Sequence, residues 1–227
     1  MGIGLHQVIV IAAMAVAPNI SAQKSVQDRV QEYGTVTAQR WAPYFKQVQV
    51  SYPPRAIAFV GLKQEKVLEV YAAGTNRAFR FIRSYPVQAA SGKLGPKLRQ
   101  GDKQVPEGLY RIESLNPNSS YHLSLRVNYP NEEDRAHAQT EGRTNLGGDI
   151  MIHGRAVSIG CLAMGDEAAE DLFVLAAQTG VPNIEVILSP VDFRIRDLPQ
   201  LPEGAPAWTA ERYAAIKKAL EKYKPGK

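Results

Sequence analysis

The strongest constraint on this chain is a train of short apolar runs between Ala56 and Tyr129, each closed by glycine, proline, asparagine or a charged turn. The runs are AIAFVGL, KVLEVYAA, AFRFIRSYPVQAA, GLYRIESL and YHLSLRVNY. In the last of them Leu123, Leu125 and Val127 alternate with His122, Ser124 and Arg126, the period of a strand with one buried face. The middle of the chain is therefore expected to be mostly sheet. Between the third and fourth runs lies SGKLGPKLRQGDKQVPEG, rich in Gly, Pro and Lys and long enough to be expected beside a site.

The period changes on both sides of this region. SVQDRVQEYGTVTAQRWAPYFKQV sets Val26, Val30, Tyr33 and Val36 near helical spacing, with Trp41, Tyr44 and Phe45 behind them, and the Tyr52-Pro53-Pro54 break ends the segment. Further on, RTNLGGDIMIHG predicts a short strand from Ile150 to Ile152 that delivers His153 at its end. Asp166 is placed to cap a helix with Ala169, Leu172, Phe173 and Ala176 on one face, ending at Gly180 before Pro182. NIEVILSP reads as another strand, LPQLPEGAPA as a linker, and TAERYAAIKKALEKYK as a final helix facing the core with Tyr213, Ile216, Leu220 and Tyr223. The organisation expected is 1–22 as a signal segment, 23–52 as a helical segment, 53–190 as the main domain, and 191–227 as linker and C-terminal helix.

The signal reading rests on the apolar run from Val8 to Ala17, too short to span a bilayer and of the length of a signal-peptide core, with Ile20-Ser21-Ala22 preceding Gln23. A short buried strand or an uncleaved anchor is the alternative. An exported chain meets an oxidising compartment, yet Cys161 is the only cysteine and has no partner within the chain. Such a thiol is either a small buried hydrophobe or a reactive group. The net charge of +5 has no concentrated patch apart from KKALEKYKPGK. Nucleic acid is therefore not the natural partner; an acidic polymer or membrane surface of the cell envelope fits as well as plain solubility does.

A cysteine becomes a nucleophile where a histidine, an electropositive setting or a helix N-terminus favours its thiolate. His153 ends a strand, Arg155 lies in the following turn, and a helix begins a few residues beyond Cys161. Gly154 and Gly160 let the backbone turn tightly and present N–H groups near the thiol, as a tetrahedral oxyanion requires. The pattern suits acyl transfer through a thioester, with His153 taking the thiol proton and returning one to the leaving amine. By spacing alone, a histidine eight positions before a cysteine is a weak signal. His122 and His137 add no zinc spacing, so no metal site is expected, and no G-x-S-x-G elbow marks a serine hydrolase.

IHGRAVSIGCLAM resembles the signature of the L,D-transpeptidase catalytic domain (YkuD-type) family: histidine and glycine, a variable insert, then Ser/Thr-x-Gly-Cys. Those places are taken by His153, Gly154, Ser158, Gly160 and Cys161. The insert of four residues between His153 and Ser158 is short and resembles a YafK-like branch, as do SGKLGPKLRQGDKQVPEGLYRI, LNPNSSYHLSLRVNYPN and GRTNLGGDIMIHG; the resemblance runs from about Pro53 to Pro190. It implies an α+β fold, a mostly β catalytic domain of mixed sheet flanked by N- and C-terminal helices. It further implies a periplasmic cysteine enzyme without a cofactor that acts on amide bonds beside meso-diaminopimelate in peptidoglycan stem peptides. In this picture Cys161 is the nucleophile and His153 its base. Ser158 orders the turn, and Gly160 and Cys161 offer oxyanion N–H groups. Whether the acyl group passes to an amine or to water stays open, and with it whether peptidoglycan-bound lipoprotein is a partner; a non-catalytic wall-binding module is the remoter alternative. Arg155 and Arg143 are candidates for a stem-peptide carboxylate or else loop charges and structural ion pairs. Tyr129 borders the acyl pocket or packs in the core, while His122, His137, Lys93 and Lys97 read as bystanders.

Overall fold

A computed structural model describes residues 23–197, 200–201 and 203–225; the signal segment 1–22 lies outside them. Eight strands form one curled, mixed sheet in the order β3-β2-β1-β8-β4-β5-β6-β7. They are β1 (Ala56–Leu62), β2 (Val67–Ala73), β3 (Phe79–Pro86), β4 (Gly108–Ser119), β5 (His122–Val127), β6 (Met151–His153), β7 (Leu162–Ala163) and β8 (Ile184–Ser189). Four helices flank it: α1 (Val26–Val48), α2 (Glu132–Thr140), α3 (Asp166–Thr179) and α4 (Thr209–Leu220). The α+β architecture of mixed sheet and flanking helices is thus the one expected. No helix among the described residues is long and apolar enough to cross a membrane.

The first two apolar runs become strands buried on both faces. Ile57 and Phe59 of β1 join the core under α1 and α3, whereas Ala58, Val60 and Leu62 join a second core with Tyr213, Ile216, Leu220 and Tyr223 from the C-terminal segment. Strand alternation thus feeds two layers at once, which is why β1 reads as nearly continuous hydrophobicity. β1 runs parallel to β8 and antiparallel to β2.

β4 is the hinge of the sheet. Gly108–Arg111 pair with β8, and from Ile112 onward the same strand pairs with β5 through register shifts that bend it. β5 then passes to β6, and β6 lies parallel to β7. Ala89, three residues beyond β3, bridges Ala163 of β7, so the two ends of the strand order meet. The short β6–β7 pair is thereby held from both sides.

Two local expectations are corrected, and one helix was not expected. α2 forms from EEDRAHAQT, a stretch with no apolar stripe, because Asn131 and Asp134 make a capping box at its start and Asp134 and Ala138 are its buried face. Asp166 does not cap α3: Gly165 occupies that position without a side-chain cap, and the Asp166 carboxylate accepts the Arg155 N–H at 2.7 Å. The fully buried face of α1 is Thr37, Trp41 and Phe45, while Val36 stays exposed, because the C-terminal half of the helix docks on α3 and β3.

Candidate active site

The short β6 strand ends in His153, and the loop after it returns to β7 through Gly160 and Cys161. Ile152 is the register partner of Leu162 in this parallel pair, which sets Cys161 beside Met151. The Met151 N–H accordingly reaches Cys161 Sγ at 3.4 Å, and the thiol donates to the Asp149 carbonyl at 3.5 Å. His153 lies two residues beyond Met151 on the same strand face, ~7 Å along the backbone. Both side chains line one open cleft of about 550 Å³.

His153 is buried, and its Nδ1 lies 2.6 Å from the Gly154 carbonyl. A carbonyl only accepts, so Nδ1 carries the proton and Nε2 is left as the free base. The Tyr121 ring packs on the imidazole at a tilt of 37°, with centroids 4.6 Å apart. Burial pushes the His153 pKa down from its ordinary value, against the pull of the Gly154 carbonyl. Burial also pushes the Cys161 thiol up, only partly offset by the Met151 N–H and by Lys97. The resting pair is therefore thiol and neutral imidazole.

The Ser158 hydroxyl clamps the turn at Cys161: it donates to the Cys161 carbonyl at 2.6 Å and accepts the Cys161 N–H at 3.0 Å. The expectation that the Cys161 N–H points at an oxyanion is corrected by this bond, which uses that donor. Gly160 has φ +119°, a backbone that favours glycine, and its N–H has no hydrogen bond among the described residues. Gly154 is required for space: an added Cβ would lie 2.6 Å from Asp166 Oδ1 and 2.7 Å from the Tyr121 carbonyl.

Three expected contributors stand outside the cleft lining. Arg143 pairs with Glu141 at 2.6 Å and donates to the Leu98 carbonyl, tying the end of α2 to the long loop. Tyr129 is buried in the main core, its hydroxyl donating to the Lys97 and Leu146 carbonyls. Arg155 is exposed, with its N–H held by Asp166. His122 contacts Glu170 and Tyr33, and His137 stacks on Trp208.

The long loop does border the cleft, through Lys97, Gln100, Gly101 and Lys103. Lys97 is not a solvated bystander: it is buried and ion-paired with Asp102 at 2.5 Å. Tyr121 was missed by the sequence reading, and so were Val157 and Ile159, which form an exposed apolar lip at 59% and 75% accessibility. Their only signal was adjacency to the signature. No group of three or more His, Cys, Asp or Glu side chains able to hold a metal occurs among the described residues.

A lone thiol and a tautomer-fixed imidazole in one cleft of a curled mixed sheet define a cysteine–histidine site on an α+β scaffold. Residues 55–187 match the YkuD L,D-transpeptidase catalytic domain, and the chain belongs to that family. It is 34% identical over 169 residues to YafK of Escherichia coli K12, covering 72% of this chain and 62% of the relative, so it spans about three fifths of that protein's length. Among solved structures, the helical cell shape determining protein Pgp2 from Campylobacter jejuni shares 23% identity over 60% of this chain and 48% of its own, with a TM-score of 0.49. Bd1075 of Bdellovibrio bacteriovorus shares 16% over 74% of this chain and 55% of its own, with a TM-score of 0.42.

Proposed function

We propose that this chain is a peptidoglycan-acting cysteine acyltransferase of the cell envelope, cutting amide bonds beside meso-diaminopimelate in stem peptides through a thioester on Cys161. The observation that carries this reading is the Nδ1–H bond of His153 to the Gly154 carbonyl, which leaves Nε2 free as a base in the cleft that holds the only cysteine. In the first step Sγ attacks the carbonyl carbon as its proton passes to Nε2. The oxyanion forms beside the free Gly160 N–H. Collapse breaks the C–N bond, and Nε2 returns the proton to the departing amine. In the second step an acceptor loses a proton to Nε2 and displaces the thiol from the thioester.

An amine acceptor makes crosslinks or attaches protein, whereas water makes an L,D-carboxypeptidase or an amidase that detaches lipoprotein. The openness of the cleft and the partial exposure of Cys161 favour water as acceptor. A periplasmic location, reached through the N-terminal signal, belongs to the same proposal. The test is mass spectrometry of muropeptides after sacculi carrying bound lipoprotein are incubated with the protein and with its Cys161→Ala variant. Newly formed 3-3 linked dimers from the wild type alone mark transpeptidation, and released lipoprotein or shortened stems mark hydrolysis. Identical products from both proteins sink the mechanism.

A further inference from the structure

At the sheet end formed by the starts of β1, β3 and β8, two clefts of about 540 and 720 Å³ adjoin, sharing Arg55, Gly74, Thr75 and Asn183. The first is lined by Arg55, Arg77 and Arg111, the second by Arg55 and Arg80. Neither shares a residue with the Cys161 cleft. Several arginines elsewhere are held by carboxylates, as Arg40 is by Asp171, Arg126 by Asp149 and Arg194 by Glu69. Among the described residues Arg99, Arg135 and Arg155 have no ion pair, and neither do Arg55, Arg77, Arg80 and Arg111, which are exposed and gather at these two clefts. The one acidic residue lining either cleft is Glu185, and its Oε2 already accepts the Tyr223 hydroxyl at 2.7 Å.

Four guanidiniums against one engaged carboxylate leave a concentrated positive charge at this sheet end. An exposed arginine holding one carboxylate gains little, so a single monoanion would bind weakly here. Phosphate groups carry close to two charges each and accept bidentate bonds from the guanidinium fork. We infer that the paired clefts form a binding site for a ligand bearing two or more phosphate groups, separate from the catalytic cleft and independent of the function proposed for it. Arg55, common to both clefts, bridges two phosphates, with Arg77 and Arg111 on one side and Arg80 on the other. The same chemistry is offered by the headgroups of an anionic lipid surface and by a soluble polyphosphorylated compound.

The test is calorimetric titration with tripolyphosphate at low ionic strength, alongside cosedimentation with phosphatidylglycerol vesicles. Three proteins are compared: the wild type, the Arg55→Gln/Arg80→Gln variant, and a Lys217→Gln/Lys218→Gln control that loses the same charge from exposed α4 positions. Tripolyphosphate binding by the wild type, weakened about tenfold in the arginine variant and less than about twofold in the control, supports the site. Vesicle binding that tripolyphosphate displaces identifies the lipid source, and tripolyphosphate binding without vesicle binding identifies the soluble one. Equal weakening in both variants, or no binding of either probe by the wild type, overturns it.

Discussion

Burial acts on both side chains of the proposed catalytic pair in the direction of neutrality, holding the His153 pKa down and the Cys161 thiol up. In the proposed mechanism the thiol proton therefore moves during attack rather than before it. The expected rate profile is a broad bell, with an acid limb below the usual imidazole range and an alkaline limb above the usual thiol range. Thiolate ultraviolet absorbance should be absent at neutral pH; a wild-type signal lost in Cys161→Ala would show a preformed ion pair and refute this account. The linkage to stability has a definite sign: the unfolded chain takes up the His153 proton first, so stability falls as pH drops from the ordinary imidazole value through the depressed one. His153 and Cys161 were legible in the sequence because both sit in one short signature. Tyr121 and Lys97 were not, because each reaches the cleft from a separate hairpin or loop, and no local pattern encodes that proximity.

The junction of α1, α3 and β3 turns on Asp171. Its carboxylate is fully buried, accepts from Arg40 Nε at 2.7 Å and from the Tyr85 hydroxyl at 2.8 Å, and its carbonyl accepts the Trp41 indole N–H. Asp171→Ala strands the buried Tyr85 hydroxyl and leaves the half-buried Arg40 to Glu170, and is expected to cost about 1–3 kcal/mol, read as a lower denaturant midpoint. An unchanged midpoint would mean that α1 is held by its apolar contacts alone. Amphipathic spacing announced α1 and most of its core-facing side, including Val26, Tyr33, Trp41 and Phe45, but Thr37 is buried where Val36 was expected, because the exact face is chosen by where α3 and β3 lie. α2 escaped the hydrophobic period altogether, and the signal that could have found it was the Asn131–Asp134 spacing of its capping box.

Across the whole molecule, the C-terminal helix secures the loop that borders the cleft. Glu107, fully buried at the end of that loop, accepts from the Tyr213 hydroxyl at 2.6 Å and from Lys63 at 2.7 Å, and Lys63 also donates to the Lys93, Gly95 and Val105 carbonyls. Tyr213→Phe is expected to destabilise the protein by about 1–3 kcal/mol and to speed proteolysis between Gly92 and Gly101, with activity falling in parallel. Unchanged proteolysis would confine the role of Tyr213 to packing. The final helix was expected with the right core residues, yet its tie to the cleft was invisible, since Glu107 and Tyr213 are far apart in the chain. What the sequence alone determined is what local spacing encodes: most of the strands, the core-facing residues of the C-terminal helix, the long loop beside a site, and the signature carrying His153, Ser158, Gly160 and Cys161. The tertiary structure alone decided that Thr37 rather than Val36 is buried on α1, that Ala89 meets Ala163 to hold the β6–β7 pair, that Ser158 consumes the Cys161 N–H, and that Arg143 and Tyr129 serve the scaffold. These depend on contacts between distant segments, whose partners are set only when two cores close on opposite faces of one curled sheet.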